Sequence, residues 1–163
     1  NAMSNHVESP IEDDLLDAMI RACDGRPIVI LHRLSLKEFD REVKADARCR
    51  IHIATQVRCG PYRADFIVGY GARRVCVEAD GREFHSSAAQ VYRDQKRDEW
   101  FISNGISVIR LSGKQIVRDP YKCARRVLED VTGSSFREDG PRQVGDHLEA
   151  VIALCASKFE ATP

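Results

Sequence analysis

Long apolar runs are missing from this 163-residue chain. No stretch approaches the ~18 residues that a membrane-spanning helix needs, so no spanning segment is expected. The stretch from Asn1 to Ser9 is polar and carries no signal-peptide pattern; Asn1-Ala2-Met3 reads as a vector scar ahead of the native start. Closely spaced cysteine pairs are also missing. The six cysteines, at positions 23, 49, 59, 76, 123 and 155, form no CxxC motif. A zinc site wants tighter spacing, and several of these residues lie in apolar stretches, so buried free thiols in a reducing cytoplasm are the expectation. Internal repeats are absent. Net charge is absent too, at a formal value of zero.

Zero net charge hides an uneven distribution. Residues 1–46 carry six basic and ten acidic side chains, residues 47–126 carry sixteen and eight, and residues 127–163 carry three and seven. The middle segment therefore stands at +8 between two flanks at −4, and thirteen of its sixteen basic residues are arginine. Arginine presents a planar donor fork suited to phosphate, so the middle segment is a candidate nucleic-acid surface. The competing reading is a set of solvated faces and ion pairs. A hydrophobic fraction of 43% is enough to bury the core of one domain of this length.

Ser9-Pro10-Ile11-Glu12 has the pattern of a helix start, with Ser9 as cap, Pro10 in the first turn and Glu12 closing a capping box. Ile11, Leu15, Leu16, Met19 and Ala22 continue at helical spacing until Asp24-Gly25. Ile28 to Leu31 is a short extended run. Ser35-Leu36-Lys37-Glu38 repeats the capping box and opens a second helix to about Ala45. Ile51, Ile53, Thr55 and Val57 alternate with His52, Ala54, Gln56 and Arg58, the period of a strand. Gly60-Pro61 turns the chain into a second strand, Tyr62 to Val68; a turn at residues 69–72 precedes a third, Arg74 to Asp80, which Gly81 ends. Ala88 to Ser103 reads as a helix whose middle, Arg93-Asp94-Gln95-Lys96-Arg97-Asp98-Glu99, holds no apolar residue and so faces solvent or a polar site. Within it, Asp94 and Asp98 are placed to pair with Arg97 and with Arg93 or Arg110. Ile106 to Leu111 is a further strand. Asp119-Pro120 starts a helix with an apolar stripe at Ala124, Val127, Leu128 and Val131. Residues 132–146 read as a linker, and 147–160 as an amphipathic helix whose stripe serves core packing or, alternatively, a dimer surface. The order predicts an α/β domain over residues 9–131, a mixed central sheet flanked by helices, with the C-terminal helix as an addition.

Carboxylates mark the chemistry. On the third strand, Cys76, Glu78 and Asp80 share one face, while Val75, Val77 and Ala79 take the other. Two carboxylates closing an apolar strand are costly unless something cationic sits beside them. If the hairpin turns around Gly71, Asp65 falls nearly opposite Glu78, with Cβ atoms ~5 Å apart. Three acidic groups then converge, and a hard divalent cation relieves their repulsion. A bound Mg²⁺ or Mn²⁺ polarises a phosphate and acidifies its bound water, which suits phosphodiester cleavage.

The stretch Tyr62-Arg63-Ala64-Asp65-Phe66 followed by Val77-Glu78-Ala79-Asp80-Gly81-Arg82-Glu83-Phe84-His85 resembles the endonuclease-domain family related to very-short-patch repair endonucleases, within the PD-(D/E)XK (restriction-endonuclease-like) superfamily. Arg93 to Asp98 and Asn104 to Gly113 match the style of that family, and the resemblance covers roughly residues 9–130. It implies a cytoplasmic, Mg²⁺- or Mn²⁺-dependent endonuclease acting on DNA. Asp65 matches the first metal-binding aspartate, Glu78 the acidic residue of the (D/E)XK element, and Glu12 an acidic residue that touches the metal through water. Gly81 and His85 keep the Gly-x-x-x-His spacing in which the histidine activates water. Asp80 is a third candidate metal ligand, and Arg63, Arg93 and Arg97 are the candidate nucleic-acid contacts. One departure stands out: the lysine expected two residues after Glu78 is Asp80. Lys96 or Arg97 on the following helix is then the candidate replacement, and a fold that binds nucleic acid without cleaving it is the alternative. No zinc site or aromatic wedge of the very-short-patch type is visible, so mismatch repair is not implied.

The basic middle segment predicts salt-sensitive, largely sequence-independent DNA binding. Log affinity should fall against log salt by ~0.9 for each phosphate neutralised on duplex DNA. Fluorescence-anisotropy titrations at several salt concentrations measure the slope, which replacing Arg93 and Arg97 with Ala should flatten. A slope near zero in the wild type removes the nucleic-acid reading.

Overall fold

The period-two segments in the middle of the chain pair with one another into one sheet, and the helical segments cover both of its faces. A computed structural model describes residues 7–80 and 87–136. In chain order the elements are α1 (Pro10–Ala22), β1 (Ile28–His32), α2 (Leu36–Ala45), β2 (Ile51–Cys59), β3 (Tyr62–Tyr70), β4 (Arg73–Asp80), α3 (Ala88–Ser103), β5 (Ser107–Ser112), α4 (Gly113–Arg118) and α5 (Pro120–Thr132). The strands lie side by side in sequence order, β1 to β5. β2, β3 and β4 form an antiparallel meander through two tight turns, while β1 joins β2, and β5 joins β4, in parallel across a helix. This is the mixed sheet flanked by helices that the element order predicts. Among the described residues no helix is long and apolar enough to cross a membrane.

Two apolar layers hold the sheet. On one face, Leu15, Leu16 and Met19 of α1 and Ala124, Val127, Leu128 and Val131 of α5 pack with Ile53, Phe66, Val75 and Val77. On the other, Phe39 and Val43 of α2 and Phe101 of α3 pack with Ala54, Val57, Ile67 and Cys76. Caps start the helices as their sequences require. The Ser35 capping box is complete, with Glu38 accepting from the Ser35 backbone N–H at 2.7 Å. Ser9 caps α1, but Glu12 accepts from the Glu8 N–H at 3.0 Å and from Ser9 Oγ at 2.8 Å, a shifted version of the expected box.

Simple alternation fails at one place. Ile51 and Ile53 face the α1/α5 layer, but Val57 and Cys59 face the α2/α3 layer with Ala54. The inversion occurs at Gln56, whose φ is +53°, in the left-handed region that non-glycine residues seldom enter. β3 inverts alongside it: Phe66 and Val68 lie in the first layer, Ala64 in the second, with Asp65 between them. Both faces of β2 are consequently buried, including His52 and Gln56 on what the alternation marks as its polar side. α4 has no counterpart in the sequence reading either; Ser112 caps it by a capping box that uses Gln115.

The cysteine expectation holds for Cys23, Cys59, Cys76 and Cys123, which are buried free thiols, and not for Cys49, which is exposed. At the end of the described chain Gly133 ends α5 in the left-handed conformation, and Phe136 is buried beneath the Arg26 guanidinium, 4.1 Å from its ring centre. The segment read as a linker is thus packed at its start. Gly81, His85, the remainder of that linker and the helix over residues 147–160 lie outside the described residues.

The close packing of α2 on β3 passes through Gly69. A Cβ there would lie 2.9 Å from Phe39 Cε1 and Cζ and 3.3 Å from Val43 Cγ2. Phe39 is completely buried and has nowhere to move. Gly69→Ala should therefore lower stability by about 1–3 kcal/mol through overpacking, read as a lower urea midpoint at unchanged slope. An unchanged midpoint would mean that α2 yields without cost.

Candidate functional site

The β3–β4 register brings two acidic side chains side by side. The ladder runs from Tyr70↔Arg73 to Phe66↔Val77, and Asp65 and Glu78 are the next residues beyond its last pair. There the strands part, and Asp65 Oδ2 accepts from the Ala79 N–H at 2.9 Å. Glu78 is 9% exposed. Its Oε1 accepts from Cys76 Sγ at 3.3 Å and from Nη2 of Arg97 on α3. The same Nη2 donates to the Arg63 carbonyl at 2.6 Å, bridging β3 and β4. Two aromatic rings hold the guanidinium, that of Tyr62 with its centre 5.7 Å away and that of Phe101 at 5.9 Å. Phe101 is fully buried and stacks edge-on against Trp100, fixing the end of α3 and with it the reach of Arg97.

Burial raises both acids, and the charge of Glu78 adds to the rise of Asp65. Asp65 is pushed up to about 7, first by burial and then by the charge of Glu78, with Glu12 adding to the rise; the Ala79 N–H and Arg97 oppose it. Glu78 is also raised by burial, against the pull of the Arg97 guanidinium. Arg97, with a smaller pull from Arg110 on Glu78, does not offset the desolvation of Glu78 and of the half-buried Asp65, so both hold protons more tightly than ordinary carboxylates do. Once deprotonated, two neighbouring carboxylates are the hard oxygen donors that a divalent cation takes. Among the described residues no group of three or more His, Cys, Asp or Glu side chains is placed to hold a metal by itself.

Glu12 reaches this region from α1, across the sheet from α3. Its Oε2 accepts from Gln56 Nε2 at 2.9 Å and from the Glu8 N–H, while its Oε1 accepts from Ser9 Oγ. Gln56 lies on β2 between the pairs Thr55↔Phe66 and Val57↔Ala64, level with Asp65 on the neighbouring strand. Strand alternation puts Gln56 at a solvent-facing position, which hides its part here; in the fold it is buried. The available signal was an amide two residues from Arg58 in an otherwise apolar run, and alternation alone gave it the wrong environment.

The remaining candidates separate. Asp80 ends β4, half-buried and paired in register with Ser112 of β5. Lys96 lies on the exposed side of α3, ion-paired with Glu99 at 2.8 Å and over the Tyr92 ring, and the structure does not bring it to Glu78. The helix cation beside the carboxylates is its neighbour Arg97. Arg63 is exposed and pairs with Glu8 at 2.6 Å, and Arg93 is exposed and donates to Gln90 Oε1 at 2.8 Å. Asp98 pairs with Arg110 at 2.6 Å, bracing α3 on β5, while Asp94 accepts from Gln90.

Among known families, the model for the restriction-endonuclease-like family REase_MTES_1575 matches residues 39–131, more than half of the chain, and spans Gln56, Asp65, Glu78, Asp80 and Arg97 but not Glu12. No curated protein and no solved structure gives a significant match.

The raised Asp65 makes stability fall as pH rises. The folded protein holds a proton that the unfolded chain releases near pH 4, so the contribution is complete below that pH and is lost as pH rises through about 7. Asp65→Asn keeps the acceptor for the Ala79 N–H without the buried charge. It should raise stability at pH 8 in EDTA by roughly 1–3 kcal/mol and flatten the profile between pH 4 and 8. Urea midpoints across that range measure it, and equal pH dependence in both proteins would show that Asp65 ionises normally.

Proposed function

The chain belongs to the restriction-endonuclease-like family REase_MTES_1575, and from that membership we propose that it is a divalent-cation-dependent endonuclease hydrolysing phosphodiester bonds in DNA. The observation that carries this reading is the placement of half-buried Asp65 next to buried Glu78, both raised, with Arg97 bonded to Glu78. Asp65 and Glu78 would hold Mg²⁺ or Mn²⁺, since a magnesium site needs only one or two carboxylates when water and substrate phosphate complete the shell. When bound, the cation polarises the scissile phosphate and lowers the pKa of its water. The resemblance to PD-(D/E)XK enzymes related to very-short-patch repair endonucleases assigns Asp80 and Glu12 to the surroundings of that cation.

The chain's own residues supply the rest. Arg97 is the helix-borne cation in place of the strand lysine; its preset position suits charge that builds on the phosphate, because a fixed donor needs no reorganisation during the reaction. His85 is assigned as the group that takes the proton from the attacking water, since an imidazole with an ordinary pKa near 6.5 works close to neutral pH. Lys96, with Arg63 and Arg93, holds the DNA backbone as point charge and donor forks. A second reading, a nucleic-acid-binding domain without cleavage, is favoured by Asp80 at the lysine position and by the occupation of Glu78 by Arg97.

Nicking of supercoiled plasmid with Mg²⁺ or Mn²⁺ separates the two. Wild type should cleave, and Asp65→Asn with Glu78→Gln should not. His85→Ala should slow single turnover by roughly 10²–10⁴, the usual loss for an acid–base group, while Lys96→Ala should mainly weaken DNA binding. Cation should also stabilise the wild type, by about 2.7 kcal/mol at a hundredfold excess over its Kd, and not the double variant. Wild type that binds DNA but never cleaves it with either cation would establish the binding reading.

A further inference from the structure

Gln56 combines two costly features at one residue. Its φ is +53°, a conformation that a glutamine on a central strand adopts only when its surroundings impose it. Its side chain is buried, at 3% exposure, and its Oε1 has no hydrogen-bond donor among the described residues. The amide cannot turn over to remove the second cost. Only Nε2 can donate to the Glu12 carboxylate, and that bond is made at 2.9 Å, so the carbonyl oxygen is the end left over. Glu12 fixes the geometry in turn, because Ser9 and the start of α1 hold its two oxygens.

The unmatched oxygen belongs to a residue one strand away from Asp65. Gln56 is level with Asp65 across the β2–β3 ladder, and the charge of Glu12, to which Gln56 is bonded, is felt at Asp65. Buried polar atoms are almost always paired, and strained backbone is concentrated where ligands bind. A neutral carbonyl from this strand level can supply an acceptor without a further charge.

We propose that Gln56 is a positioning residue of the cation site: its Oε1 accepts a hydrogen bond from water carried by the divalent cation that Asp65 and Glu78 hold, and Glu12 acts as the brace that aims it. This rests on the metal-dependent reading above and deepens it. It moves Glu12 from the cation's surroundings to one step behind Gln56. Groups that orient a metal's shell change affinity by 10–100-fold when removed.

The test is Mn²⁺ affinity by calorimetry in the absence of DNA, on the full chain, for wild type, Gln56→Leu and Glu12→Gln, with DNA affinity in EDTA and the melting temperature measured alongside. Gln56→Leu should bind Mn²⁺ roughly 10–100-fold more weakly with unchanged DNA affinity. Glu12→Gln keeps an oxygen to accept from Gln56 Nε2 and loses only the charge, so it should retain most of the Mn²⁺ affinity. If it binds as weakly as Gln56→Leu, Gln56 serves only to hold the Glu12 charge and the proposal is overturned. Affinity within twofold of wild type in Gln56→Leu overturns it equally. Should Gln56→Leu fail to fold, Gln56→Met keeps the chain length without an oxygen and takes its place. Mn²⁺ binding by the wild type that survives Asp65→Asn with Glu78→Gln would instead sink the metal site itself, a result distinct from loss of the Gln56 effect alone.

Discussion

A buried carboxylate and a half-buried one on adjacent antiparallel strands, Glu78 and Asp65, with the Arg97 guanidinium bonded to the first, set the terms for the rest of this domain. Asp65 and Glu78 follow the last pair of the β3–β4 ladder, and nothing in the ladder relieves the effect of the Glu78 charge on Asp65. Relief comes from outside the sheet. α3 must approach closely enough for Arg97 to reach Glu78, and the rings of Tyr62, Trp100 and Phe101 fix that approach. Asp98 and Arg110 tie the same helix to β5, so the counter-ion is held by packing and not by a flexible side chain alone.

The opposite layer meets the same site differently. α1 contributes no cation. It contributes Glu12, a third acidic group, whose oxygens are spent on the helix start and on Gln56. The sheet accommodates this by exchanging the faces of β2 and β3 at Gln56 and Asp65. The exchange lets one strand level address both layers, with Arg97 and Glu78 on one side and Glu12 and Gln56 on the other. A regular sheet cannot do that, because side chains two apart always share a face.

Much of this was legible in the residues. Alternation and caps gave β1 to β5 and four of the five described helices, with α3 correct over its full length, because caps and turn glycines act within a few residues. The opposition of Asp65 and Glu78 followed from counting back from Gly71. Three things were not legible. α4 is too short to carry a periodic pattern. The left-handed Gln56 is imposed by tertiary contacts, and no local signal such as glycine or asparagine marks it. The partner of Glu78 depends on how α3 is rotated: Lys96 and Arg97 are adjacent in sequence but about 100° apart around a helix, and only the packing of Phe101 decides which one faces inward.

Phe136 and Glu12 stand in a relation that bears on how this domain can be joined to others. Glu12 is in the first turn of α1, whereas Phe136 packs under Arg26, just past the last turn. Glu12 is the third residue of α1 and Ala22 the last, so about 15 Å of helix separates Glu12 from the helix end. Phe136 therefore packs near the end of α1 remote from Glu12. A fluorophore or surface tether joined directly at Phe136 begins beside Arg26 and not beside Glu12, which makes that position a natural point of attachment.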